Sequence, residues 1–147
     1  MKKVILKFCA VVSIVSGFAL GSDHGYEADI KSTELLKTRK TVAEQPVQYL
    51  KTDKPEVTAL KVEIPPGKET GWHKHTVPAF GYILSGKLTL EIEGGTVLRF
   101  EAGQAFVESM NVLHNGKNSG TEPLKIVAFY AGEEGKPNTV KSVEEKK

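Results

Sequence analysis

The sequence predicts an all-β domain, an antiparallel sandwich or barrel of short strands, and three observations point there. Apolar and polar residues alternate with period two through much of the chain, as on a half-buried pleated strand. Turn residues interrupt that alternation at spacings of about ten to seventeen positions. Only one stretch, Thr33 to Arg39, could be helical, and with Leu35-Leu36 inside it we read it as a strand.

The first 21 residues are set apart from the fold. Lys2 and Lys3 precede an apolar run of 13 residues, Phe8 to Leu20, which ends in small residues at Ala19 and Gly21. That pattern is a secretory signal peptide, too short for the roughly 20 residues a membrane-crossing helix needs. Cleavage is expected to leave no stable membrane anchor and, in a bacterial setting, a periplasmic product. Cys9 lies near the start of the run behind Lys7 and Phe8, away from the small residues that a lipidated cysteine follows. Removing the leader deletes three lysines and no acids, so the net charge falls from +2 to −1. No Lys/Arg cluster then remains to track a phosphate backbone, which excludes nucleic acid as an expected partner. The leader also holds the single cysteine, so thiolate and disulfide chemistry are excluded from the mature chain.

The remaining elements follow in order. Residues 22–31 are polar and are expected to be a flexible segment, followed by a domain over residues 32–131. Leu60, Val62 and Ile64 alternate with Lys61 and Glu63 before the turn Pro65-Pro66-Gly67. Leu88, Leu90 and Ile92 alternate with Thr89 and Glu91 between Ser85-Gly86 and Gly94-Gly95. Ala102-Gly103 and Asn118-Ser119-Gly120 mark two more turns, and Leu124 to Tyr130 reads as one largely apolar strand. Residues 132–147, rich in Gly, Pro, Glu and Lys, are expected to be a flexible charged tail.

Three of the four histidines, His73, His75 and His114, fall in the strand-rich region, while His24 lies in the polar leader-proximal segment. At spacing i, i+2 on a strand, the side chains of His73 and His75 share one face about 6 to 7 Å apart. Such a pair can clasp a metal ion, or it can be two satisfied polar residues on a sheet surface.

Around these histidines the sequence resembles the cupin superfamily. Gly67, His73-Lys74-His75 and Tyr82-Ile83-Leu84-Ser85-Gly86 are similar to its first motif. Gly103, Ser109, Asn111, His114 and Asn118 are similar to its second, with Ser109 and Asn111 standing where Pro and Gly are usual. The resemblance covers Leu60 to Tyr130. It implies a cupin-type antiparallel β-barrel, the double-stranded β-helix or jelly roll. It also implies one divalent transition metal on His73, His75 and His114, with iron or manganese favoured and zinc, nickel or copper compatible with imidazole ligands. The glutamate that serves as a fourth ligand in the first motif is missing: its position is Ala79, or Phe80 if the loop is counted one longer.

Three neutral imidazoles leave the charge of the ion unopposed, which favours an anionic ligand such as a carboxylate, enolate or hydroxide. Glu108 could replace the missing carboxylate. It shares a strand face with Phe106, whose family counterparts point into the barrel, unless a bulge turns it to solvent. Facing inward it would approach the metal, accept a hydrogen bond from a ligand imidazole, or take a proton from substrate, and it is the candidate catalytic residue. Tyr82 has the opposite parity from Ala79, Gly81 and Ile83 and is expected outside. Trp72 and Lys74 alternate with the histidines and are expected to face away from the metal, and Phe80 either covers the barrel mouth or packs.

The resulting expectation is a secreted metal-binding cupin acting on a small anionic organic molecule, as a dioxygenase-type enzyme. All-histidine triads occur in oxygen-using cupins. A non-catalytic small-molecule or metal-binding module and a metal-dependent isomerase or lyase are the alternatives. A homodimer is a further expectation from the resemblance, with Glu34 to Thr41 as a strand able to join the subunits.

Overall fold

The computed structural model describes residues 30–142. The signal-peptide reading of residues 1–21 and most of the segment 22–31 lie outside them. Among the described residues there are nine strands and no helix. The strands are β1 (Pro55–Ile64), β2 (His73–His75), β3 (Ala79–Ser85), β4 (Lys87–Ile92), β5 (Thr96–Glu101), β6 (Ala105–Val107), β7 (His114–Asn118), β8 (Leu124–Glu133) and β9 (Thr139–Lys141). They form two antiparallel sheets, one in the order β1-β8-β3-β6 and the other β5-β4-β7-β2-β9.

The alternation seen in the sequence sorts the two faces. Leu88, Leu90 and Ile92 of β4 turn inward and meet Ile83, Phe106, Ile64 and Leu124 from the other sheet in one buried cluster. Burying such side chains contributes about 1.5–3 kcal/mol each, which is what holds the sheets face to face. A smaller cluster of Val77, Ala79 and Tyr130 packs beside it. Leu60 has the inward parity of Val62 and Ile64 yet stays 45% exposed, because β1 is the edge of its sheet and has β8 alone as a neighbour.

Two glycines are required by what surrounds them. Gly86 has φ of 85°, and a Cβ there would lie 2.8 Å from the Leu124 Cα. At Gly81 a Cβ would collide with the Phe106 ring, which itself stacks on Phe100 at 4.7 Å.

The second motif is equally legible in the backbone. Asn111, at the position usually held by glycine, has φ of 57°, a left-handed conformation that asparagine tolerates better than most residues. Asn118 is buried, donates to the carbonyls of Ile64 and Glu122 at 2.8 Å each, and accepts from the Gly120 amide at 2.9 Å. It ties the turn after β7 to the end of β1.

Two expectations need correction. Thr33 to Arg39 forms neither a paired strand nor a helix within the chain. The following residues hydrogen-bond among themselves instead, through Thr41 N to Gln45 O and Val47 N to Arg39 O, with one bridge between Lys40 and Pro46. Leu35 and Leu36 remain exposed, too few to anchor a strand. The domain also does not end at residue 131, nor are the described residues 132–142 of the expected tail simply flexible. β8 runs to Glu133, and β9 pairs with β2 in the register His73↔Lys141, Lys74↔Val140 and His75↔Thr139. Backbone pairing to a strand already in place fixes β9, and three residues are too short a run to show a period of two.

Candidate metal centre

β2 lies between β7 and β9, with His73 directly across from His114. Because His75 is two residues further along β2, all three imidazoles enter the same space between the sheets. Ring centroids are 5.1 Å apart for His73 and His75, 4.4 Å for His73 and His114, and 4.9 Å for His75 and His114. One ligating atom of each lies within 4.8 Å of the others.

The orientation of each ring is set by a partner at Nδ1. His73 Nδ1 is 2.7 Å from the Gly71 carbonyl and His114 Nδ1 is 3.0 Å from the Val112 carbonyl. A carbonyl can only accept, so both rings carry their proton on Nδ1 and present a lone pair at Nε2. His75 Nδ1 is 3.0 Å from Thr139 Oγ1, on β9.

Burial keeps the His75 and His114 rings unprotonated. It lowers His75 to about 3, helped by repulsion from His114 and His73 and opposed by a hydrogen bond that the ring donates to the Asn138 backbone. It lowers His114 to about 4, against the Val112 hydrogen bond and with a further push from His73. Neutral imidazole is the form that binds a metal.

Glu108 reaches this space from the end of β6. Its Oε2 is 3.5 Å from His114 Nε2, and neither atom has a hydrogen-bond partner although both are buried. The carboxyl stem is partly exposed, 17% for the side chain, while Oε2 itself is sealed, and burial pushes its pKa up to about 7. The contact is not an ion pair, since His114 is held neutral. Of the three roles open to Glu108 in sequence, accepting a hydrogen bond from His114 is removed, because that ring has no proton at Nε2. Two orphaned acceptors facing each other fit a cation between or beside them.

The cavity in front of these groups has a volume of about 60 Å³. Val62, Leu90, Ile126 and Ala128 make its apolar wall, and Tyr130 and Thr70 add polar groups. Tyr130, 5.2 Å from the His75 ring, is a site residue that sequence reading passed over. Its parity with Ile126 and Ala128 on β8 was the available signal. Burial, then the nearby Glu108 charge, raises its pKa, against a hydrogen bond with Thr139, so the phenol keeps its proton. Thr139 had no signal at all.

The other expectations are placed as follows. Ala79 and Gly81 are buried on the inner face, whereas Tyr82 and Phe80 are only partly buried and do not line the cavity. Phe80 pairs in the ladder with Val107 and Phe129, so it packs on the sheet and does not cover the cavity mouth. Trp72 is exposed and Lys74 partly so, and neither lines the cavity.

Two antiparallel sheets enclosing a three-histidine cluster that could hold a divalent metal define a class of protein, the cupin-type jelly roll. Residues 60–130 match the Cupin domain family, and solved structures carry the same fold. DMSP lyase DddQ from Ruegeria pomeroyi is 20% identical with a TM-score of 0.54, over 62% of this chain and 45% of that one. The Lactobacillus farciminis oxalate decarboxylase formate complex is 22% identical with a TM-score of 0.51, over 58% of this chain and 26% of that one. The cupin domain of Schizosaccharomyces pombe Cnp3 is 23% identical with a TM-score of 0.50, over 58% and 63%. The chain thus covers less than half of either enzyme. Among curated proteins none matches significantly.

Proposed function

We propose that this chain is an exported member of the cupin superfamily, a metal-dependent enzyme that takes a small organic anion at His73, His75 and His114. The observation that carries this reading is the convergence of three imidazoles on one space, those of His75 and His114 buried and held neutral, and those of His73 and His114 with Nε2 freed by a carbonyl at Nδ1. A divalent ion held by them would act as a Lewis acid toward a carboxylate or enolate oxygen.

The remaining groups set what the chain itself does. A cavity of about 60 Å³ admits a ligand of only a few heavy atoms, and much of its wall is apolar. The protonated phenol of Tyr130 stands beside His75, where it can donate to an oxygen of the bound anion. Glu108 is the catalytic carboxylate of this reading, its buried oxygen facing the same centre. A proton donor next to a Lewis-acid centre favours proton-transfer chemistry of the lyase or isomerase type. The dioxygenase reading rests on the histidine triad. Export rests on the leader pattern of residues 1–21.

One experiment separates these readings. Protein loaded in turn with iron(II), manganese(II) and zinc is incubated with a panel of short carboxylates, diketones and thiols, with and without oxygen, and products are followed by NMR. Turnover independent of oxygen supports the lyase or isomerase reading, and turnover that consumes oxygen moves it to dioxygenase. Metal-dependent binding with no turnover of any member refutes the enzyme and leaves a capture module.

A further inference from the structure

We propose that Glu108 is a direct ligand of the metal, delivering from β6 the carboxylate that the first motif lacks at Ala79. This rests on the three-histidine reading above and adds a fourth ligand from the residue that follows β6.

The register between β3 and β6 carries the inference. Phe80 pairs with Val107 and Gly81 with Phe106, and one step further the Glu108 amide donates to the Ala79 carbonyl at 2.9 Å. Ala79 and Glu108 therefore stand directly opposite each other. Opposed residues in an antiparallel ladder point to the same face with Cβ atoms about 4.5–5.5 Å apart. Ala79 is buried on the inner face and Glu108 lines the cavity, so a carboxylate at either position enters the same space. The methyl group at 79 leaves that space open. The carboxylate has crossed one rung of the ladder without changing faces.

The contact with His114 is close to the spacing of two ligands of one ion and too long for a shared proton. Donor atoms about 2.1 Å from a common metal, at right-angled to tetrahedral geometry, lie about 3.0–3.4 Å apart. A proton shared between oxygen and nitrogen would draw them to about 2.7–2.9 Å. Glu108 Oε2 and His114 Nε2 are 3.5 Å apart with no other partner for either. The Val112 carbonyl holds the proton of His114 at the far nitrogen, so lone pairs face each other across that gap.

The test uses cobalt(II), whose visible absorption reports coordination, together with its affinity measured against a competing chelator. Glu108→Gln, nearly isosteric, is expected to lower cobalt affinity by about tenfold or more and to alter the absorption bands. The swap Ala79→Glu with Glu108→Ala is expected to recover both, which a merely structural role for Glu108 would not allow. In the wild-type chain loaded with manganese(II), isotope label in the glutamate carboxyl carbon should produce a coupling in pulsed EPR, a readout that needs no variant. Unchanged affinity and spectrum in Glu108→Gln, or no coupling in the labelled protein, overturns the fourth ligand and leaves the histidine centre standing. If His75→Ala binds cobalt as tightly as wild type, the histidine centre itself fails.

Discussion

Thr139 Oγ1 lies 3.0 Å from His75 Nδ1, so a strand of three residues near the end of the chain orients a ring of the central cluster. Thr139→Val keeps the shape and removes the oxygen. Freed of that contact, His75 can rotate, and metal affinity is expected to fall about 10-fold or more, the usual cost of losing a partner behind a ligand imidazole. Calorimetric titration with zinc checks this, and unchanged affinity would show that packing alone holds the ring.

Metal binding is expected to stabilise the fold, because an unfolded chain offers no preformed site. At a free metal concentration of a hundred times Kd the gain is about 2.7 kcal/mol, a rise of several degrees in Tm. In His75→Ala and His114→Ala the same addition should leave Tm where it was. A shift that survives both substitutions would place the ion elsewhere.

The metal-free protein should lose stability in mild acid. His75 and His114 take up protons near 6.5 when unfolded but only at about 3 and about 4 when folded, so acid favours the unfolded chain below 6.5. Glu108 works in the opposite sense. Its folded value of about 7 exceeds the unfolded 4.5, so its contribution is complete below 4.5 and is lost as pH rises through 7. Between 4.5 and 6.5 two histidines oppose one carboxyl, and the net slope is about one proton, or ~1.4 kcal/mol per pH unit. Denaturant midpoints across this window measure it. Glu108→Gln should steepen the slope towards two protons, and a flat profile in both proteins would contradict the buried, neutral state of His75 and His114.

Asn118 should matter for stability and not for the metal. Asn118→Ala removes two donated bonds and one accepted bond at a buried position, leaving the Ile64 and Glu122 carbonyls without this donor. A loss of about 2–4 kcal/mol is expected from guanidinium unfolding, with metal affinity within about twofold of wild type. A small change in stability would mean that water replaces the amide.

Much of the centre was legible in the chain because strand geometry is local. Period two places Leu88, Leu90 and Ile92 on one face and His73 with His75 on another, whatever the rest of the molecule does. Asn111 and Gly86 are readable for a similar reason, since a backbone in left-handed conformation restricts which residues can occupy it. Glu108 could be assigned to the inner face from its parity with Phe106, though not to a partner.

The sequence by itself determined the β character, the faces of the strands and the identity of the three imidazoles. Tertiary structure alone decided that Ala79 faces Glu108, that Tyr130 stands beside His75 and that Thr139 supports it. Pairing is a choice among distant segments whose backbones offer the same hydrogen bonds, and only the closing of the two sheets selects one register. The same rule explains the two misread stretches. Thr33 to Arg39 had no ladder to join, whereas Thr139–Lys141, too short to be read from its residues, met an open edge at β2.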